Sequence, residues 1–294
     1  MSYQDQPLLK PPVWTWEIPT YFFVGGAAGA AAVLGVAAQL AGEDRKLVRD
    51  ARWIAAIGAN LSTPLLIADL GRPERFLHML RVFNPRSPMS VGAWIVAAFG
   101  GTSTAALFVP PRSVFAALSA LAGLGMSTYT GVLLGVTAIP LWKENARVLP
   151  VHFAASALGT ACSLLELRGH HQRALQSLAI GAAIFETAVS SSLGKCRTGF
   201  SPPGRAEARP TFGNHDGSAL MLAAEVCSGP APLVLRLMGK RKAAAAVTIL
   251  GSLLTRFAWV QAGKVSARRN ASTTSGPGAN DATAAPPAQD RSRL

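Results

Sequence analysis

The chain has 294 residues, half of them hydrophobic and 15% charged, and a mean hydropathy of +0.29. That is too apolar for an ordinary soluble domain of this length and makes the bilayer the expected solvent. The net charge of +13 does not indicate nucleic acid, because the arginines and lysines fall between apolar runs and in the tail, as in membrane loops, and not on one face among stacking aromatics.

Stretches of about twenty apolar residues, enough to cross roughly 30 Å of hydrocarbon, recur along the chain. The predicted fold class is an all-α integral membrane protein, a bundle of about eight transmembrane helices. The first span covers 19–40 and is entered through Trp14 and Trp16, whose rings suit the headgroup layer. The start, MSYQDQPLLKPPVWTWEIP, has no apolar core before a small-residue cleavage site, so no cleaved signal is expected. A charged loop, GEDRKLVRDAR, leads to a second span at 53–70, interrupted by Asn60, Ser62, Thr63 and Pro64. Residues 68–94, ADLGRPERFLHMLRVFNPRSPMSVGAW, then crowd four arginines, two acids, a histidine and three prolines between apolar segments.

A third span is predicted at 89–109, with Pro110 and Pro111 turning the chain into a fourth that runs to 141 and closes at Pro140 and Trp142. After a short loop at 143–147, Pro150 opens a fifth span that ends near 167, and a sixth covers 175–193. Residues 194–217, rich in proline, glycine and arginine, read as the longest internal loop, with no helix. The seventh span, 218–237, contains Glu225, Pro230 and Pro232 and is expected to kink; the eighth, 243–262, contains Arg256 between cationic flanks. The membrane domain is expected to occupy 1–270, and the small, polar, proline-rich tail 271–294 to be disordered.

An ionisable side chain in hydrocarbon costs several kcal/mol, about 3 on insertion scales, so Glu186, Glu225 and Arg256 within spans, and Asp69 and Glu166 near span ends, must face a partner or a wet cavity. A simple alternative is an acid paired with Arg256 to lock the bundle. Tyr129, predicted near the middle of the fourth span, needs a hydrogen-bonding partner, and Gly125 and Gly131 beside it leave room for a flat ligand. Of the histidines only His152 reaches a span, while His78, His170, His171 and His215 fall in predicted loops, so no haem is expected. Cys162, Cys196 and Cys227 form no CxxC pair, and there is no P-loop, GxGxxG or GxSxG. A metal, iron–sulfur cluster or nucleotide site within this chain is therefore not expected.

The stretch DLGRPERFLHMLRVFNPRSPMSVGAW closely resembles the signature after the second membrane helix of the NrfD family, the membrane subunits of polysulfide-reductase-like complexes. WEIPTYFFVGGAAGA, YTGVLLGVTAIPLW, LPVHFAASALGTA and LLTRFAWVQAGKVSARR agree in the same order, so the resemblance extends to about Arg269. It implies a haem-free helical bundle in the bacterial cytoplasmic (inner) membrane. Such a bundle binds a quinone, menaquinone or ubiquinone, and exchanges electrons with an extrinsic ferredoxin-like iron–sulfur subunit. That subunit in turn serves a molybdopterin or multihaem catalytic subunit. By motif match Tyr129 is the residue that hydrogen-bonds a quinone carbonyl, with Trp16, Glu17 and Tyr21 at the same pocket and Asp69 exchanging a proton. Glu186, Glu225 and Arg256 are candidates for a proton path. Arg72, Arg75, Arg81 and Arg86 are expected to pair with Asp69 and Glu74 and to dock the iron–sulfur partner. Two other readings compete: a redox-silent membrane anchor, and a secondary transporter, against which the lack of a repeat between the halves counts.

Overall fold

The computed structural model of the chain describes residues 14–72, 74–199 and 215–274. Among these, every regular element is helical: α1 (Glu17–Leu40), α2 (Arg45–Asp69), α3 (Glu74–Arg81), α4 (Pro88–Phe108), α5 (Arg112–Gly135), α6 (Pro140–Glu144), α7 (Leu149–Leu167), α8 (Arg173–Gly199), α9 (His215–Ser228), α10 (Pro230–Leu237) and α11 (Arg241–Thr274). Among the described residues, six stretches are long and apolar enough to cross a bilayer: α1, α4, α5, Arg173–Ser191 of α8, Ala219–Leu237 across α9 and α10, and Arg241–Ala267 of α11. A seventh is α2 taken with α3, a pair bent by 109°. The fifth predicted span is α7, which falls outside that set and has His152, Ser156, Thr160, Ser163 and Glu166 built into it, all buried.

Local chemistry sets the helix ends. Asp44 caps α2 by accepting from the Lys46 N–H at 3.0 Å, and Ser87 caps α4 by accepting from the Ser90 N–H at 3.4 Å. Prolines open α4, α6, α7 and α10, where a missing N–H costs nothing. Just past α1, α2, α7 and α10 stand Gly42, Gly71, Gly169 and Gly239, with φ from +67° to +92°, a left-handed conformation that suits glycine and ends a helix.

Several boundaries differ from the sequence reading. The polar stretch after α2 contains the short helix α3, so His78 is helical; Phe76 is buried and the helix packs on α4. The fourth span stops at Gly135 and is followed by the separate turn of α6, which places Tyr129 in its last two turns and not at its centre. The predicted 194–217 loop is shorter: α8 continues to Gly199 and His215 opens α9, while 200–214 lie outside the described residues. The seventh span is interrupted at the single residue Gly229, between α9 and α10. Of the predicted tail, residues 271–274 close α11 and 275–294 lie outside the described residues.

The helix α1 packs against α2, α5, α7 and α11. Its run of glycine and alanine permits this: a Cβ on Gly29 would fall 2.2 Å from the Gly123 carbonyl oxygen of α5. In lipid, where burying apolar surface gains little, such close backbone approach and its dispersion energy hold helices together.

Candidate functional site

One end of the bundle collects the start of α1, the end of α2, α3, the end of α5 and α6. Tyr21 lies one turn into α1 and is buried, its hydroxyl 3.9 Å from the Met126 sulfur. Tyr129 lies one turn beyond Met126 on α5, against Gly92 of α4, and is an electrostatic neighbour of Tyr21. Its hydroxyl donates to the Pro88 carbonyl at 2.6 Å. Because Pro88 is the first residue of α4, the tyrosine ties α5 to the segment that follows α3. Once that proton is donated, the phenolic oxygen still has lone pairs with which to accept.

Asp69 ends α2 at the same end. Among the described residues it makes no ion pair with Arg72, Arg75 or any other cation; its neighbours are Glu17, the Thr15 N–H and Lys264. This corrects the expected Asp69–arginine bridge, because Arg72 lies beyond the Gly71 turn with its side chain in the open. Glu17 accepts from the Thr15 hydroxyl, and Lys264 donates to the Trp14 carbonyl, bringing the end of α11 to the start of α1. Trp14 stacks on the buried Trp142 of α6 at 5.4 Å and 15°, and Trp142 Nε1 donates to the Trp259 carbonyl at 2.9 Å. Trp16, by contrast, is exposed.

Arg72, Arg75, Arg81 and Arg86 are all exposed, as are Leu77, Val82, Phe83 and Met89 between and beside them. Around α3 the surface is thus cationic and apolar together. The expected Glu74 partnership is also missing: among the described residues no ion pair joins it to these arginines.

A second polar group runs through the α7–α11 half. His152 Nδ1 stands 3.4 Å from Glu186 Oε1, both side chains buried, and among the described residues neither atom makes a hydrogen bond. Arg256 is fully buried, donates from Nη2 to the Phe153 carbonyl at 2.9 Å, and places Cζ 3.9 Å from the Phe153 ring centre, a cation–π contact. Glu186 reaches Arg256 electrostatically but makes no direct ion pair with it, so the expected acid–arginine lock is replaced by a histidine contact. Glu225 lies on α9 one turn before the Gly229 break, with a partly exposed side chain; Ser228 donates to its carbonyl and also touches Glu186.

Below this group, Ser156 donates to Ser252 at 2.9 Å, and Thr160 and Thr248 turn their hydroxyls to their own helix carbonyls. Further on, Arg236 Nη1 donates to Glu166 Oε1 at 2.6 Å, with Ser163 3.5 Å from Nη2. The positions 152, 156, 160, 163 and 166 are spaced as one face of α7, a stripe about 21 Å long at 1.5 Å per residue. At the far end Asp50 accepts from His170 Nε2 at 3.0 Å and from Arg168 at 3.3 Å, clamping the α7–α8 turn to α2. Since the carboxylate only accepts, the imidazole proton sits on Nε2.

His152, Arg236, Asp50 and His170 were not picked out from sequence as site residues. The i, i+4 polar rhythm of α7 is the one signal that pointed to His152; the others have partners too distant in the chain to betray themselves. Among the described residues no group of three or more His, Cys, Asp or Glu is arranged to hold a metal ion.

A family model described as polysulfide reductase matches residues 10–269. A search of curated proteins finds no match.

Proposed function

The chain belongs to the polysulfide reductase family of the NrfD type, and on that premise, as a multi-pass membrane subunit of a redox complex that works with extrinsic oxidoreductase subunits, we propose that it binds quinone at the Tyr21–Tyr129–Asp69 end of the bundle. The observation that carries this is the gathering of two phenols and a carboxylate with no cationic partner in direct contact, beside the exposed cationic surface of α3. The quinone supplies a two-electron, two-proton carrier soluble in the bilayer. The residues supply hydrogen bonds and proton exchange. As it stands, Tyr129 can accept from a quinol hydroxyl; to donate to a quinone carbonyl its hydroxyl must leave Pro88. Asp69, at the end of α2, exchanges the proton. Tyr21, Glu17 and, more distantly, Trp16 frame the same end of α1.

The finer assignments follow from the same reading. The membrane is the bacterial cytoplasmic (inner) membrane. The partner docked on Arg72, Arg75, Arg81 and Arg86 is a ferredoxin-like iron–sulfur subunit, which serves a molybdopterin or multihaem catalytic subunit. Glu186, Glu225 and Arg256, with His152 and the α7 stripe, form a proton path, each hydroxyl retaining a free lone pair to pass a proton through intervening water.

One observation favours the redox-silent anchor instead: the Tyr129 proton is already engaged by the Pro88 carbonyl. Purification with native lipids, followed by quinone analysis and identification of copurifying subunits for wild type and Tyr129→Phe, separates the two. Quinone retained by wild type and lost in the variant supports the proposal. Partner subunits retained with no quinone in either protein support the anchor.

A further inference from the structure

At the end of the bundle opposite Tyr129, the α1–α2 and α4–α5 turns border an open cavity of about 610 Å³. Arg45, Arg49, Arg52 and Arg112 line it, against a single acid, Glu43. None of the four arginines makes an ion pair among the described residues. Arg52 Nη2 donates to Gln39 Oε1 at 2.5 Å, while its Nε is buried without a partner. Four like charges around one space repel, an anion among them relieves that repulsion, and guanidinium groups match phosphate oxygens two by two.

The side chains beside the cavity point to the source of that anion. Trp53, next to Arg52, lines the same space and meets Phe108 edge-on at 5.9 Å and 84°. Both rings are exposed, as aromatics are at the headgroup layer. From Trp53 a ridge of exposed apolar side chains, Ile57 and Leu61 at successive turns, runs down α2 away from the cavity. A soluble phosphate has no use for that ridge, but an acyl chain does.

We propose that this cavity holds the phosphate headgroup of an anionic phospholipid, gripped by Arg52 from α2 and Arg112 from α5, with Arg45 and Arg49 at the rim and an acyl chain along the Trp53–Ile57–Leu61 ridge. The site is independent of the quinone reading, since it lies at the other end of the bundle and its test reads lipid retention alone.

The full-length protein, purified in detergent with equal phosphatidylglycerol and phosphatidylcholine added, is examined by native mass spectrometry as wild type, Arg52→Gln, Arg112→Gln and the control Arg173→Gln, an exposed arginine outside the cavity. Selective retention of phosphatidylglycerol by wild type and the control, falling about five-fold with each cavity arginine removed, is the expected result. Arg112 is exposed at the start of α5, so its variant serves even where Arg52→Gln misfolds. Equal retention of the two lipids, or retention unchanged in the cavity variants, overturns the proposal. Displacement of the lipid by millimolar inorganic phosphate overturns it too, in favour of a soluble phosphate compound.

Discussion

Arg236 Nη1 lies 2.6 Å from Glu166 Oε1, joining α10 to α7 through an ion pair buried on both sides. Removing one member strands the other charge away from water, at a cost of about 3–5 kcal/mol, whereas replacing both with apolar groups removes the desolvation penalty with the attraction. Arg236→Met is therefore expected to lower thermal stability in detergent sharply, and Arg236→Met with Glu166→Leu to recover most of the loss. A double variant no better than the single one would remove the pair from this account.

Asp50 stands in the charged turns of α2, ahead of the apolar stretch that opens at Trp53. Burial pushes its carboxyl up, but the hydrogen bond from His170 and the charge and hydrogen bond of Arg168 outweigh it and hold the group below the ordinary aspartate value. A carboxyl lowered on folding contributes stability that is complete above its unfolded pKa, about 4, and lost as pH falls through the folded value. Acidification is expected to release the α7–α8 turn from α2, and Asp50→Asn to do so at neutral pH, at about 1.5–3 kcal/mol. Hydrogen exchange at residues 168–172 measures both; equal protection in the variant and wild type at neutral pH counts against the clamp.

Tyr129→Phe deletes one hydrogen bond to Pro88, worth about 1 kcal/mol, and keeps the ring packed on Gly92. Thermal stability is expected to change little while quinol-linked turnover of the assembled complex falls roughly tenfold, the loss of one hydrogen bond to the carrier. Unchanged turnover would favour the anchor reading.

Gly29→Val sets side-chain atoms where the Gly123 carbonyl stands, 2.2 Å from an added Cβ. Backbone meets backbone there, so no rotamer relieves the clash and the helices must part, costing about 1–3 kcal/mol or more. Lower yield of monodisperse protein and earlier thermal unfolding are expected, with Gly101→Ala, in open space on α4, near wild type.

Reversing charge at Arg75 and Arg81 leaves the bundle's interior untouched, because both side chains are exposed. The double Glu variant is expected to keep wild-type stability and to lose partner subunits in a pull-down, with affinity down at least about tenfold and the loss deepest at low salt. Arg72→Ala is expected to weaken assembly in the same direction. Full retention of the partner in both would move the docking surface elsewhere.

The amino-acid order alone marks the apolar stretches and their approximate limits. Hydrocarbon thickness demands about twenty apolar residues per crossing, and prolines, capping side chains and the glycines at 42, 71, 169 and 239 punctuate the spans locally. It also shows that Glu186 and Arg256 must face inward, since lipid would not tolerate them. It left α3 hidden, because an eight-residue helix crowded with charge looks like loop on any hydropathy measure. Partnership was decided by the tertiary structure. Glu166 meets Arg236 across 70 residues and Asp50 meets His170 across 120, while Glu186 takes His152 in place of a direct bridge to Arg256. Which side chains meet depends on the rotation and crossing of each helix, set by glycine-to-backbone contacts such as Gly29 on Gly123, and that geometry belongs to pairs of helices, not to any single stretch of sequence.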